Sequence, residues 1–243
     1  MLQLLLTRTS EQNRALSAQI KRPDVPVFSA TLLQAEALPL SPEMKSTILD
    51  LDQFDDIIFI SKNAVAFGMP VIEQFWPQWP IRLNWYAVGK ATAVELERFD
   101  VSPAFPELAS SEGLLALPEL KQVAGRNVLI VRGVGGRETL KEELTIRGAE
   151  LQYLEVYERK EVDQNPATLP NGDCVIALLY SGEAIIRLQE LIGERISAYY
   201  LIVPSKRLEE LAIDRGFVKV QVAKNQEDYA MIEVVNLVLE SFS

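Results

Sequence analysis

Short apolar runs alternate along this chain with stretches whose apolar residues recur at helical spacing. The runs at 3–6, 57–60, 85–88, 128–131, 175–179, 200–203 and 218–222 predict strands. Helix-like periodicity follows most of them, at 11–20, 63–75, 91–99, 111–117, 138–147, 183–192, 208–215 and 227–239. In the last, Tyr229, Ile232, Val235 and Leu239 fall on one helical face. Strands and helices taking turns predict an α/β fold, a parallel sheet with crossover helices. Two stretches, 31–35 and 151–159, look extended but open no helix. Loops rich in Pro and Trp (75–80) and in Pro, Asn and Gly (165–172) punctuate the pattern.

The pattern also echoes itself. A strand leads into Ser61-Lys62-Asn63-Ala64 and a helix, and the next into Gly89-Lys90-Ala91-Thr92 and a helix. Later, strands lead into Ser181-Gly182-Glu183-Ala184 and into Ser205-Lys206-Arg207. Leu6-Thr7-Arg8 is likewise echoed by Val131-Arg132-Gly133. Two similar α/β domains would produce this, and so would the general likeness of strand–Ser–helix junctions.

Length fits two modest domains or one large one, at 243 residues. No apolar run approaches the ~20 residues of a membrane helix. The opening apolar run stops at Thr7-Arg8, so it predicts a buried first strand rather than a leader, and a cytoplasmic protein. The net charge is −10 and no basic stripe interrupts it, which argues against nucleic acid as a partner. Cys174 is the one cysteine and lies in an apolar run, as a small buried thiol would. There is no histidine, which excludes histidine-based triads and histidine metal sites. Acid–base chemistry falls to Asp, Glu, Tyr, Lys, substrate groups or water.

The most informative stretch is VLIVRGVGGRETL, residues 128–140. A strand ends at Arg132, a loop with Gly133, Gly135 and Gly136 follows, and a helix begins near Glu138. Glycines let backbone turn tightly beside a ligand. Free N–H groups at a helix start suit an anion, and Arg132 and Arg137 add forked donors for carboxylate or phosphate. Gly133 and Gly135 match the first two positions of a dinucleotide fingerprint, but Glu138 stands where its third glycine belongs. A plain structural turn is the remaining reading. At Ser61, Ser181 and Ser205 the hydroxyl can simply cap a helix. Their number, at the C-terminal ends of strands where α/β sheets bind ligands, also suits a shared site. With Arg8, Lys62, Lys90, Arg132, Arg137 and Arg207 nearby, such a site suits a many-armed carboxylate ligand. Tyr157 reads either as a strand aromatic or as a phenol that is protonated near neutrality and can act as an acid.

In order and spacing these stations resemble the uroporphyrinogen-III synthase family along almost the whole chain. They are Leu5-Leu6-Thr7-Arg8, residues 57–65, Ala87-Val88-Gly89-Lys90-Ala91-Thr92-Ala93, Ser111-Glu112-Gly113-Leu114-Leu115, residues 128–140, and Arg147-Gly148-Ala149 leading to Val156-Tyr157-Glu158-Arg159. Tyr180-Ser181-Gly182-Glu183 and Val203-Pro204-Ser205-Lys206-Arg207 complete the set. Pro204 departs from the pattern and removes one backbone donor there.

The resemblance implies two similar parallel-sheet, flavodoxin-like α/β domains joined by a two-stranded connector, with the active site in the cleft between them. One domain would combine 1–29 with 163–243, the other would be 38–152, and 30–37 with 153–162 would link them. It implies cyclisation of hydroxymethylbilane, a linear tetrapyrrole bearing acetate and propionate arms, with loss of water and inversion of the last ring. It implies no cofactor and no metal. Substrate-binding residues would be Thr7, Arg8, Ser61, Lys62, Asn63, Gly89, Lys90, Thr92, Ser111, Arg132, Gly133, Gly135, Gly136, Arg137, Ser181, Gly182, Ser205 and Arg207, with Tyr157 assisting loss of hydroxide. A monomer is expected, with no membrane or nucleic-acid partner, taking substrate by transient hand-over from hydroxymethylbilane synthase. The competing readings are a nucleotide-binding oxidoreductase and a two-domain binder of small anions.

Overall fold

A computed structural model describes residues 1–136 and 138–242. The chain divides into two compact units, residues 1–34 with 160–243 and residues 35–159.

The first unit holds β1 (Leu2–Leu6), α1 (Ser10–Ser17) and β2 (Val27–Ser29) from the start of the chain. Five-strand parallel sheets bury their central strands on both faces, so those strands read as unbroken apolar runs; β1 is such a run. After a long excursion the chain contributes β8 (Cys174–Leu178), α7 (Gly182–Ile192), β9 (Tyr199–Val203), α8 (Lys206–Asp214), β10 (Lys219–Val222) and α9 (Asp228–Glu240). The sheet order is β10-β9-β8-β1-β2, all parallel. Alternate residues face opposite ways. Leu5, Val175, Ala177 and Leu201 pack with Ile185 and Leu188 of α7 and Leu208 of α8. Leu4, Leu6, Ile176 and Ile202 pack with Leu16 of α1 and Met231, Val235 and Leu239 of α9. The strand order reverses at β1 and β8, which makes their C-terminal ends the natural ligand position of this sheet.

The second unit takes up β3 (Leu33–Ala37), α2 (Pro42–Leu49), β4 (Asp56–Phe59), α3 (Lys62–Glu73), β5 (Asn84–Ala87), α4 (Lys90–Glu97), α5 (Ser111–Ala116), β6 (Asn127–Gly133), α6 (Thr139–Ile146) and β7 (Glu150–Glu161). Its sheet order is β3-β7-β6-β4-β5. Strands β5, β4, β6 and β7 are parallel. Leu38 N–H donates to the Val156 carbonyl, and Val162 N–H to the Leu32 carbonyl, so β3 runs antiparallel to β7 and this sheet is mixed. Ile57, Phe59, Leu129 and Val131 pack on Val65, Met69 and Ile72 of α3. Ile58, Val128 and Ile130 pack on Leu114 of α5 and Leu140 and Leu144 of α6.

The two extended stretches that open no helix are β3 and β7, and both run across the boundary between the units. Two elements had no periodic signal. β2 is three residues long, and α2 is eight residues that bury only Thr47 and Ile48. Local chemistry starts α2 instead: Ser41 accepts from the Met44 N–H, and Pro42 stands at the first helical position. Among the described residues no helix is long and apolar enough to cross a membrane.

Candidate active site at the strand ends

Each unit presents the same local device several times: a strand, an extended residue, then the first turn of a helix. Ser61 and Gly89 hold this extended conformation in the second unit, and Ser181 and Ser205 in the first; Ser110 is likewise extended before α5, but a loop rather than a strand leads into it. A helix start leaves backbone N–H groups without helical partners. Ser61 accepts from Ala64 N–H at 3.0 Å, Ser110 from Gly113 N–H at 2.9 Å, and Ser181 from Ala184 N–H at 3.2 Å. Ser110 rather than Ser111 carries the cap. Gly89 and Ser205 supply no side-chain cap, so the opening turns of α4 and α8 keep donors that suit an anion. Lys62, Asn63, Lys90 and Arg207 are exposed beside these turns, whereas Thr92 is buried. Gly89 is fixed by space: a Cβ there would meet Ala109 Cβ at 2.4 Å. At Gly182 a Cβ would meet Leu211 at 2.9 Å.

Tyr157 belongs to the second unit's core. It is 2% exposed, packs its ring against Phe67 at 5.6 Å, and its hydroxyl lies 3.2 Å from Ser61 Oγ. Gly133 permits this placement, because a Cβ on Gly133 would come within 2.6 Å of the Tyr157 ring carbons. Val134 N–H then donates to the Tyr157 carbonyl at 2.8 Å. The glycine loop and the tyrosine are therefore one packed assembly.

Arg132 is drawn inward. It is 2% exposed; its Nε donates to the Gly133 carbonyl at 3.2 Å and Nη1 to Glu138 at 2.9 Å, while Nη2 donates to the Gly135 carbonyl. Gly135 and Gly136 have φ of +72° and +97°, which lets the loop curl over the guanidinium. The guanidinium lies 4.4 Å from the centroid of Tyr153, whose hydroxyl donates to Glu138 at 2.7 Å. Tyr153's hydrogen bond and the charge of Arg132 hold the Glu138 carboxyl below its ordinary range. Burial, then the bond to Glu138, pushes the Tyr153 phenol up to about 12. Arg137 lies outside the described residues.

The first unit has a matching trio. Arg8 follows β1, and its Nη1 donates to Asp228 at 2.7 Å while its guanidinium lies 4.6 Å from the Tyr180 ring centroid. Tyr180 donates to the same carboxylate at 3.4 Å. Burial first, and the Asp228 charge second, push the Tyr180 phenol well above its ordinary value. The backbone here is pinned: Thr7 Oγ1 donates to the Leu178 carbonyl at 2.5 Å, and Arg8 N–H donates to Asn13. Buried Asn13 in turn donates to the carbonyls of Leu6 and Arg8.

Within the second unit the structure thus joins Ser61, Gly133 and Tyr157, and within the first it ties Thr7 and Arg8 to the end of β8. Sequence reasoning gives no site role to Tyr153, Glu138, Tyr180 or Asp228. The acids open helices, where a carboxylate is unremarkable, and only folding lays each arginine across a tyrosine. The arrangement offers two rows of N–H and hydroxyl donors with cations among them, suited to many carboxylates.

A family model described as Uroporphyrinogen-III synthase HemD matches residues 14–233. The uroporphyrinogen-III synthase of Salmonella typhimurium is 31% identical over 245 residues, covering 96% of this chain and 99% of that protein. The Escherichia coli protein of the same name is 29% identical with the same coverage. A crystal structure of uroporphyrinogen-III synthetase from Helicobacter pylori has a TM-score of 0.68 at 18% identity, covering 98% of this chain and 100% of that one. A mutant uroporphyrinogen III synthase from Thermus thermophilus gives 0.66 at 15% identity, covering 99% and 100%. At these identities the structures speak to the fold.

Proposed function

The chain belongs to the uroporphyrinogen-III synthase family, cyclising enzymes of tetrapyrrole biosynthesis, and from that premise we propose how its strand-end loops serve the reaction. Hydroxymethylbilane loses its terminal hydroxyl to give a reactive azafulvene. The substituted carbon of the last pyrrole attacks it and forms a spiro intermediate. Fragmentation and reclosure invert that ring and shut the macrocycle. The same precursor closes without inversion when left alone, so the protein's task is to favour one geometry. Positioning is therefore the larger part of catalysis.

The loop rows of both units hold the acetate and propionate arms. Backbone donors at Gly89 and Ser205, hydroxyls at Thr92, Ser111 and Ser181, and the cations Lys62, Lys90 and Arg207 form the grip, with Thr7, Arg8, Ser61, Asn63 and Gly182 at the adjoining turns. Each charged hydrogen bond contributes ~1.5–3 kcal/mol before ordering costs, so several replace one dominant salt bridge. Arg132 serves by shaping the loop of Gly133, Gly135 and Gly136 from beneath. Tyr157 donates a proton to the departing hydroxyl, which leaves as water, and Ser61 orients the phenol. The enzyme acts as a monomer and receives its labile substrate from hydroxymethylbilane synthase.

The observation that carries this reading is the repeated extended-residue junction, present in both units and left without a side-chain cap at Gly89 and Ser205. The test is equilibrium binding of the oxidised product, uroporphyrin III, followed by thermal shift. The melting temperature should rise with the porphyrin, and the rise should shrink as salt screens the carboxylates. Stabilisation by NAD, NADP or FAD, with none by the porphyrin, contradicts the reading.

A further inference from the structure

An arginine, a tyrosine and an acid form one trio in each unit, and the two copies differ in how much of the guanidinium is already spent. In both, the arginine stands at the C-terminal end of a core strand and the tyrosine on or just beyond the neighbouring strand, β6 with β7 and β1 with β8. In both, the acid sits at a helix start and accepts from the arginine and from the tyrosine hydroxyl. The copy at Arg132 is closed. Two backbone carbonyls and Glu138 take up its nitrogens, and 2% of the side chain is exposed. The copy at Arg8 is open. Asp228 takes Nη1, no backbone carbonyl accepts from the guanidinium among the described residues, and 28% of the side chain is exposed.

Three constraints set the direction in which Arg8 presents its remaining N–H groups. Asp228 fixes one edge of the guanidinium. The Tyr180 ring fixes its plane, as arginine prefers to lie on aromatic faces. The bond from Arg8 N–H to Asn13 at 3.0 Å fixes its backbone. The place is where this unit's strand order reverses, the position at which open α/β sheets bind ligands. A planar fork held this way suits a carboxylate arm of the substrate.

We infer that Asp228 and Tyr180 are positioning residues that present Arg8 to a carboxylate of the tetrapyrrole, an inference that rests on the function proposed above. Neither touches the reacting carbons, so their loss falls on substrate binding rather than on the chemical step.

The test is steady-state kinetics with hydroxymethylbilane, with the porphyrin isomer resolved and melting temperature followed in parallel. Asp228→Asn and Tyr180→Leu should each raise KM about tenfold, the cost of one weakened charged hydrogen bond, with the loss appearing in KM and little in kcat. Tyr180→Phe, which keeps the ring face, should recover most of the KM lost in Tyr180→Leu. Arg8→Lys keeps the charge but not the fork and should raise KM as well, so it carries the test if Asp228→Asn fails to fold. A KM that is unmoved or lowered in the folded variants overturns the inference and leaves the synthase reading standing. Wild-type protein that gives no type III product overturns both.

Discussion

The hydroxyls of Tyr157 and Ser61 lie 3.2 Å apart, and Ser61 Oγ also accepts from the Ala64 N–H that opens α3. A buried phenol is thereby tied to the first turn of a helix, and the tyrosine's hydroxyl is aimed at the loop row instead of the core.

If that phenol is the acid for hydroxide departure, removing its proton slows chemistry and spares binding. Tyr157→Phe should lower kcat about a hundredfold, the usual worth of one positioned acid, with KM little changed. Single-turnover measurement with fresh substrate checks this. Unchanged turnover removes Tyr157 from the chemistry and leaves it as a packing residue.

Space between Gly133 and Tyr157 decides a second outcome. A Cβ at Gly133 would sit 2.6 Å from two carbons of the ring, so the ring or the strand must move. Gly133→Ala should cost about 1–3 kcal/mol of stability, as overpacking does. It should also lower kcat by displacing the phenol. Urea denaturation read beside activity checks it, and a variant with wild-type stability contradicts the packing.

Ser61 carries two duties, and its substitution separates them. Ser61→Ala loses a helix cap worth about 1 kcal/mol and the partner of the Tyr157 hydroxyl. Ser61→Asp keeps a capping oxygen, so its stability should exceed that of Ser61→Ala while its activity stays low, because a negative charge now faces an anionic substrate. Thermal unfolding and product yield give the two readings.

Acid should loosen the closed trio. Glu138 titrates below its ordinary value when folded, through the hydrogen bond from Tyr153 and the charge of Arg132. A depressed carboxyl pKa gives stabilisation that is complete above the unfolded value of about 4.3 and fades as pH falls through the folded one. Melting temperature measured from neutral pH down to pH 3 should therefore fall less steeply in Glu138→Gln than in wild type. Identical slopes contradict the coupling.

The two sheets were legible because their central strands are buried on both faces: the runs around Leu4, Ile176 and Ile202 in one and around Ile58 and Ile130 in the other announce themselves without any partner. The edge strand β2 and the helix α2 were not, since each is too short for periodicity to emerge. The serine junctions were legible as caps or donors from their place before helices. Which hydroxyl caps, Ser110 and not Ser111, depends on where the extended residue falls. From the sequence, the glycine loop suits an anion, with Arg132 and Arg137 as forked donors to it, or is a plain turn. Its glycines do curl the backbone, but around Arg132, because a guanidinium at the end of a buried strand needs acceptors and the nearest carbonyls are those of Gly133 and Gly135. Pairing of Arg8 with Asp228 spans 220 residues and could not be read from local pattern.

On the function proposed above, this protein bends a linear tetrapyrrole so that its last ring inverts before closure. Freshly prepared hydroxymethylbilane, incubated with the purified protein alone, oxidised and separated by isomer, tests it directly. Uroporphyrin III should be the main product, against the type I isomer in a protein-free control. Type I alone in both samples would contradict it.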